Sequence, residues 1–263
     1  MTSKLNIKVS ILVVNYNNSK YINKCIYSLL NQDYQNIEII FLDDNSNDNS
    51  NDVIKKFKKK IKIANKKYQK QNVGAFDQIK SFKECFKIST GKIIFLIDSD
   101  DYFHKKKVSR IVNEFNKKNG NIICDIPILK FSNFEKKIRI KKSFFNTYWP
   151  YLPPTSCIAI NRKIFKKLLM VADKNHFSNI WLDFRVGILA KYIFKKYYIL
   201  NDNLTYYRQT KNNVSSDFKH LSKNWWIRRH EAHKYVSFIF NKYNIKFKKN
   251  FDYFLTKFIN YFF

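Results

Sequence analysis

The chain has 263 residues, of which 50 are Lys or Arg and 20 are Asp or Glu, so its formal net charge is +30 at pH 7. A hydrophobic content of 45% and an aromatic content of 17% exclude a disordered chain despite that charge. No apolar run reaches the ~18 residues of a membrane-spanning helix, and the apolar run at residues 9–14 is too short for a signal peptide. We therefore expect a globular cytoplasmic protein with one sizeable domain.

The first hundred residues alternate between short β-branched runs and segments with helical spacing. Strands are predicted at residues 8–14, 37–42, 61–64 and 92–97, and helices at residues 21–30, 51–59 and 76–88. Alternating strands and helices predict an α/β fold with a mostly parallel sheet covered by helices.

The second half begins near a concentration of proline at residues 149–154, which is the best candidate for a boundary between two halves. Helices are then predicted at residues 162–171 and 180–192, and a strand at 204–208. From residue 221 onward the chain is predicted to be helical, and it is strongly aromatic at 251–263.

The cysteines and the basic residues suggest no special chemistry by themselves. The four cysteines lie far apart without a C-x-x-C pair, so they are predicted to be reduced core residues: Cys25, Cys85, Cys124 and Cys157. Lysine runs at residues 55–62, 105–107, 136–142 and 246–249 are predicted to be solvated faces. The net charge is compatible with nucleic acid, an anionic membrane face or phosphorylated substrates.

Polar side chains follow three of the predicted strands. Asn15 and Tyr16 follow the first strand, Asp43 and Asp44 the second, and Asp-Ser-Asp-Asp at residues 98–101 the fourth. In an open parallel sheet, ligands bind beyond the carboxyl ends of the strands, so these loops should converge on one site. Clustered acids raise each other's pKa values, and a divalent cation is the simplest compensation. Residues 43–48 also match a turn and helix cap, and the sequence leaves both interpretations open.

Five motifs in this order resemble the nucleotide-binding half of the family 2 glycosyltransferases. They are VSILVVNYN at residues 9–17, SLLNQ at 28–32, IIFLDDNSND at 39–48, NVG at 72–74, and TGK leading to FLIDSDD at 90–101. The resemblance implies a GT-A-like, Rossmann-related fold and an inverting enzyme that uses a nucleoside diphosphate sugar with Mn²⁺ or Mg²⁺. It further implies a glycosyltransferase domain at residues 1–218, with a donor half at 1–105 and an acceptor half at 106–218. Residues 219–263 then form a helical, basic and aromatic extension.

The resemblance also implies roles for residues at the strand ends. Val14 and Tyr16 belong to the nucleotide-binding set, with Tyr16 against the base. Asp44 should accept a hydrogen bond from the base, expected to be uracil. Asp98 should face the ribose or the sugar, and Asp100 should bind the metal that bridges the two phosphates.

A loop near residue 72 should close over the nucleotide. Asn72 and Gly74 match this loop of the family, and Lys70 stands near where many relatives carry a basic group. The next residues, 75–78, depart from the small and Arg-containing stretch of many relatives. The contacts to the donor sugar are therefore left open.

Inverting transfer needs a base that takes a proton from the acceptor hydroxyl. Asp183 resembles the family's acidic motif, although Leu182 stands where a Glu is common. An acid in the first turn of a helix is also favoured by the helix dipole alone. Asp173 and Asp202 are weaker candidates for the base.

The segment at residues 204–216 resembles one that follows in relatives, many of which have a histidine at the position of Thr210. Arg208 is a candidate ligand of the diphosphate, because a guanidinium matches phosphate oxygens bidentately. His220 is a candidate metal contact from nearby.

Lysines and aromatic residues are mixed at residues 246–263. This pattern fits a helix in an anionic membrane interface or a helix packed on the core, and we favour membrane contact. The predicted function is transfer of a hexose from a UDP-sugar to a saccharide or lipid-linked acceptor in surface polysaccharide or glycolipid assembly, by a cytoplasmic protein peripheral on the inner membrane face. A non-catalytic nucleotide-sugar-binding scaffold is the main alternative. A nucleic-acid-binding protein is a weaker one, and no specific nucleic acid is expected.

Overall fold

A computed structural model describes residues 6–69, 74–140, 149, 151, 153–172, 177–210 and 218–263. Its strands are β1 Val9–Asn15, β2 Ile37–Asp43, β3 Lys62–Ile63, β4 Ile93–Asp98, β5 Tyr102–Phe103, β6 Ile122–Cys124, β7 Pro127–Lys130, β8 Glu135–Lys137, β9 Ile158–Asn161, β10 Tyr197–Ile199 and β11 Thr205–Arg208. Its α-helices are α1 Ser19–Leu30, α2 Ser50–Lys55, α3 Gly74–Ile88, α4 Lys107–Lys118, α5 Arg162–Ala172, α6 Leu182–Leu189, α7 Lys223–Lys242 and α8 Phe251–Asn260.

The main sheet has seven strands in the order β10-β6-β9-β4-β1-β2-β3. Strand β1 lies at its centre and pairs in parallel with β2 and β4, so Asn15 is level with Asp43 and Val14 with Asp98. Strand β9 runs antiparallel to both of its neighbours. The prediction of a mostly parallel sheet is therefore confirmed, with β9 as the exception.

Both faces of the central strands are buried, which explains their continuous β-branched runs. Alternate side chains of β1 enter opposite cores, since Leu12 and Val14 belong to one hydrophobic cluster and Ile11 and Val13 to the other. The first cluster is covered by residues of α3, α5, α6 and α7, and the second by residues of α1, α2 and α4. The four cysteines are buried and unbridged, as predicted.

The two C-terminal helices differ in how they meet this core. Helix α7 contributes Tyr235, Val236, Ile239 and Phe240 to the first cluster. Helix α8 packs on α7 and buries only Thr256. The segment 219–263 therefore contains one helix that completes the core and one that lies outside it. No helix in the described part of the chain is long and apolar enough to cross a membrane.

Several predicted elements differ from the observed ones in length. The helix predicted at 51–59 ends at Lys55, and the one predicted at 180–192 starts at Leu182 and continues as a π-helical turn over Ala190–Phe194. Helix α4 and the short strands β5 to β10 were not predicted. Runs of two to four residues are too short to establish a period of two in the sequence.

The buried carboxylate of Glu38, near the amino end of β2, links the segments at the amino ends of β1, β2 and β4. Glu38 accepts hydrogen bonds from Ser10 Oγ at 2.6 Å, from the backbone N–H of Thr90 at 2.5 Å and of Gly91 at 3.1 Å, and from Lys62 Nζ at 2.7 Å. A Cβ on Gly91 would lie 2.5 Å from the Ser10 nitrogen, so only glycine fits there. Burial raises the pKa of Glu38, but these hydrogen bonds outweigh it and lower the pKa to about 2.

We expect Glu38→Gln to lower stability in a pH-dependent manner. Because the folded-state pKa lies below the ordinary value, the ionised carboxylate stabilises the fold above about pH 4.5, and this contribution is lost as the pH falls towards 2. The deficit of the variant should be about 2 kcal/mol at neutral pH and shrink on acidification. Urea unfolding between about pH 3 and pH 7 measures it. Glu135→Gln, which removes an exposed carboxylate, is the control. A deficit that is constant with pH would contradict the assignment.

Candidate active site

A cleft of about 1440 Å³ opens at the carboxyl ends of β1, β2 and β4. The structure brings eight of the predicted site residues to its walls: Val14, Tyr16, Asp44, Gly74, Asp98, Asp100, Asp183 and Arg208. Thr210 also lines it. The predicted Lys70 and Asn72, and the weaker candidate Asp173, lie outside the described residues.

One buried amide joins the three strand ends beneath the cleft. Asn15 Nδ2 donates to Asp43 Oδ1 at 2.6 Å and to Ser46 Oγ at 3.1 Å, while Asn15 Oδ1 accepts from Ser99 Oγ at 2.5 Å. Asn15 therefore fixes the loops after β1, β2 and β4 relative to one another. The sequence placed Asn15 at a strand end but did not show that it connects three loops.

The acidic segment after β2 divides into structural and cleft residues. Asp43 accepts from the Ser46 backbone N–H at 2.9 Å. Asp48 accepts from the Ser19 N–H that starts α1 and the Ser50 N–H that starts α2, at 2.9 and 3.0 Å. These two acids form a turn and helix caps. Asp44 alone of the segment's acids reaches the cleft.

Asp44 is held by two side chains from the segment after β3. Lys66 Nζ lies 2.7 Å from Asp44 Oδ1, and the Tyr68 hydroxyl donates to the same oxygen at 2.8 Å. Tyr68 also meets Ser81 Oγ at 2.6 Å. Burial raises the pKa of Tyr68, so the phenol remains a hydrogen-bond donor. At this end of the cleft the Tyr16 side chain is 48% exposed.

Three carboxylates share the opposite end of the cleft. Burial raises the pKa of Asp98 to about 7, helped by Asp100 and Asp183 and opposed by the Gln78 amide, which donates to Asp98 Oδ1 at 2.9 Å. Burial also raises the pKa values of Asp100 and Asp183. Arg228 opposes the rise at Asp183. These negative groups disfavour one another in the absence of a compensating cation.

The donor atoms at this end suit a hard divalent cation. Mg²⁺ is usually bound through one or two carboxylates together with water and phosphate oxygens, and Asp98 and Asp100 provide two carboxylates. Among the described residues, no group of three or more His, Cys, Asp or Glu side chains is arranged so that it could hold a metal ion by itself. His220 packs edge-on against Trp225 and is absent from the cleft lining, and Asp202 pairs with Arg110 at 3.0 Å.

Arg208 is fixed beside the acidic motif. Its backbone N–H donates to Asp101 Oδ1 at 2.8 Å, and its Nε donates to the Asp100 carbonyl oxygen at 2.8 Å. The guanidinium lies 4.4 Å from the centre of the Tyr21 ring. A positive group is thus held next to Asp100 on the cleft wall.

A buried ion pair between Lys107 and Asp125 lies behind the carboxyl end of β4. Lys107 was predicted within a solvated lysine run, which is wrong, because its side chain is fully buried. Lys107 Nζ lies 2.9 Å from Asp125 Oδ1 and donates to Thr205 Oγ1 at 2.5 Å and to the Ser156 carbonyl at 2.6 Å. Ser156 Oγ in turn accepts from the Asp98 N–H at 3.1 Å. The pair therefore links the smaller sheet, β5-β11-β7-β8, to the site.

Asp183 lies in the first turn of α6. The loop that precedes this helix is held by side chains from two directions. Glu231 of α7 accepts from the Asn179 backbone N–H at 3.2 Å and from Asn179 Nδ2 at 2.7 Å. The buried Arg185 donates to three backbone carbonyls, those of Ala172, Phe177 and Ile180. Asp183 Oδ1 accepts from the Phe184 N–H at 2.7 Å in the first helical turn, where an acid is favoured by the helix dipole, and Asp183 also lines the cleft.

The comparisons with known proteins identify the family. The chain belongs to Glycosyl transferase family 2, whose model matches residues 10–191, as the motifs predicted. It is 29% identical over 218 residues to an uncharacterised glycosyltransferase of Nostoc sp., covering 76% of this chain and 64% of the relative. It is 37% identical over 107 residues to the Escherichia coli UDP-Glc:alpha-D-GlcNAc-diphosphoundecaprenol beta-1,3-glucosyltransferase WfaP, covering 40% of each chain.

The fold is also similar to that of a solved structure. The structure resembles S. aureus TarS 1-349 in complex with UDP, with a TM-score of 0.58 and 17% identity, covering 87% of this chain and 65% of the other. The predicted GT-A-like α/β fold is thereby confirmed. This chain spans less than two thirds of the length of these relatives.

Proposed function

We propose that the protein is an inverting, metal-dependent hexosyltransferase that transfers a sugar from a UDP-sugar to a hydroxyl of a saccharide or lipid-linked acceptor in surface polysaccharide or glycolipid assembly. One observation carries the proposal. A single cleft has an aromatic and acidic recess at one end, formed by Tyr16 and Asp44, and a carboxylate cluster at the other, with Asp183 on a separate helix. This arrangement provides separate places for the nucleobase, the diphosphate and the acceptor hydroxyl.

The recess suits a uracil ring. The half-exposed Tyr16 ring offers a face for stacking, and Asp44 offers a carboxylate oxygen to the N3–H of uracil. Lys66 and Tyr68 fix the orientation of that carboxylate before the nucleotide arrives. The names of two similar proteins include UDP or UDP-Glc, which supports uracil over guanine.

In this proposal Asp100 holds the metal and Asp98 faces the ribose or the sugar. The bound cation would neutralise negative charge that develops on the departing diphosphate. Arg208 lies beside Asp100 and supplies a further positive group for the phosphate oxygens. Lys70 and Asn72 keep their proposed roles in closing over the nucleotide, and Gly74 lies at the start of α3 on the cleft wall.

Asp183 is the proposed general base. The acceptor hydroxyl gives its proton to the Asp183 carboxylate, its oxygen forms a bond to the anomeric carbon, and the bond from that carbon to the diphosphate breaks with UDP as leaving group. Burial raises the pKa of Asp183, which strengthens it as a base, and Arg228 opposes that rise and favours the ionised form. Two residues depart from the family's pattern, Leu182 where a Glu is common and Thr210 where a His is common. These departures are the basis of the alternative function, a protein that binds a nucleotide sugar without transferring the sugar.

We expect UDP to bind in the presence of Mn²⁺ and to bind about tenfold or more weakly to Asp100→Asn, because a carboxylate ligand is lost. Calorimetry with UDP, with GDP as the competing nucleotide, measures this. Asp52→Asn, which removes an exposed acid on α2, should bind like the wild type. Equal UDP binding with and without metal, or by Asp100→Asn, would contradict the metal assignment. Preferential binding of GDP would contradict the uracil assignment.

We expect Asp183→Asn to lower kcat by about 100-fold or more while UDP affinity is unchanged, because the amide cannot accept the proton. The assay is UDP release from a panel of UDP-sugars with methyl glycosides as acceptors. Asp202→Asn is the matched control, since Asp202 pairs with Arg110 away from the cleft. Full activity in Asp183→Asn, or loss in Asp202→Asn, argues against the base assignment. Nucleotide binding without release from any donor favours the scaffold.

Helix α8 supports a membrane-facing location, which we propose as part of this function. Its inward side carries Asp252 and Thr256, while large apolar residues at helical spacing point outward. These exposed residues are Phe251, Phe254, Leu255, Phe258, Tyr261 and Phe262. Lysines at residues 246, 248, 249 and 257 flank them in a chain of net charge +30, so the complementary partner is an anionic lipid surface.

We expect the protein to cosediment with vesicles that contain phosphatidylglycerol and far less with phosphatidylcholine alone. The double substitution Phe254→Ser and Phe258→Ser should reduce this binding about tenfold or more, because the apolar face is lost. Tyr27→Ser, which removes an equally exposed ring from α1, is the control. Equal binding to both vesicle types would contradict the proposal. Self-association through α8 without lipid would assign the face to a second copy instead.

A further inference from the structure

A second cavity of about 340 Å³ lies at the start of α6 and shares Arg228 with the donor cleft. It is lined by aromatic rings and two guanidinium groups, mainly Trp149, Phe184, Phe218, Trp225, Arg228 and Arg229. We propose that this cavity, the aromatic subsite, binds a sugar ring of the acceptor. The inference rests on the proposed glycosyl transfer and adds the place where the acceptor sits.

The aromatic subsite adjoins the cleft at one side chain and at one helix turn. Arg228 lines both cavities. At the start of α6, Trp181 and Asp183 face the cleft, whereas Ile180 and Phe184 face the aromatic subsite. A ring held in this subsite therefore lies beside the turn that carries Asp183, in a cavity whose described lining shares only Arg228 with that of the cleft.

The subsite is held in shape before any ligand binds. Arg229 donates to Asp252 Oδ1 from Nε at 2.9 Å and from a terminal nitrogen at 2.5 Å. Trp149 Nε1 donates to Asp252 Oδ2 at 2.9 Å. The Arg229 guanidinium lies 5.2 Å from the Trp149 ring centre and 4.9 Å from that of Trp225. The Asp252 carboxylate at the start of α8 thus holds the Trp149 indole and the Arg229 guanidinium, and that guanidinium in turn lies against Trp225. Because these groups are already ordered, a ligand would lose little affinity in ordering them.

The lining favours a saccharide over an alkyl chain. The negative face of an aromatic ring attracts the weakly positive C–H groups on the face of a pyranose, while its hydroxyls need polar partners at the edge. The half-buried Trp225 and Phe184 supply ring faces, and Arg228 supplies hydrogen-bond donors. A volume near 340 Å³ is at the small end of ligand sites, which suits one or two sugar rings.

The test uses ligand-observed saturation-transfer NMR on the full chain with UDP and Mn²⁺ filling the cleft. The probes are methyl glycosides of glucose, galactose, mannose, N-acetylglucosamine and N-acetylgalactosamine. We expect at least one glycoside to bind the wild type, and Trp225→Ala to weaken that binding about tenfold or more. Trp225→Phe should retain most of it, because a ring face remains. Tyr27→Ala, which removes an exposed aromatic ring of α1 outside both cavities, is the matched control.

The outcomes separate this inference from the proposed function. If UDP binds and no glycoside does, or if glycoside binding persists in Trp225→Ala, the aromatic subsite is overturned while the donor site stands. Calorimetric UDP affinity of Trp225→Ala within about twofold of wild type shows that the fold and the donor end are intact. If UDP itself does not bind the wild type, the proposed function fails, and glycoside binding that depends on Trp225 then marks a saccharide site alone.

Discussion

The position of β1 between β2 and β4, with both of its faces buried, is the constraint on which the site depends. Parallel pairing in register brings Asn15, Asp43 and Asp98 to the same edge. Asn15 then uses its whole amide to tie the three following loops together, which orients Asp44 and the acids of β4 before any ligand binds. At the amino ends of the same strands, Glu38 forms a second set of hydrogen bonds, so the strands are fixed at both ends. The polar groups of the cleft therefore need little rearrangement when a ligand binds.

What the sequence could predict follows from this geometry. Residues such as Asp44 and Asp98 directly follow strong strands, so their convergence was predictable from chain order and the rule for parallel sheets. Lys66 and Tyr68 were not predictable, because they reach Asp44 from a segment after a strand of only two residues. Lys107 looked like one of three consecutive lysines, and nothing local distinguishes the one that meets Asp125 in the interior. Such pairings are tertiary contacts between distant segments, and a single sequence carries no signal for them.

The two C-terminal helices of the predicted extension have different structural roles. Helix α7 completes the core and sends Arg228 and Glu231 to the loop that carries Asp183. Helix α8 is anchored by Asp252, whose partners Arg229 and Trp149 line the aromatic subsite. The helix proposed to face the membrane is therefore directly bonded to the residues proposed to receive the acceptor. For an acceptor carried on a lipid, this connection places the sugar subsite and the lipid surface on adjoining parts of one structural unit.

The distribution of charge completes the argument. A chain of net charge +30 attracts anionic donors and lipids over its whole surface, yet its cleft gathers three carboxylates whose pKa values are raised. A diphosphate drawn in by the outer field would be repelled by these acids at close range unless a cation lies between them. In the proposed function the long-range field attracts anions without selectivity, and the acidic cleft accounts for a requirement for metal. In the same proposal, selectivity comes from short-range contacts inside the two cavities, which are made by Tyr16 and Asp44 at the donor end and by Trp225 at the acceptor end.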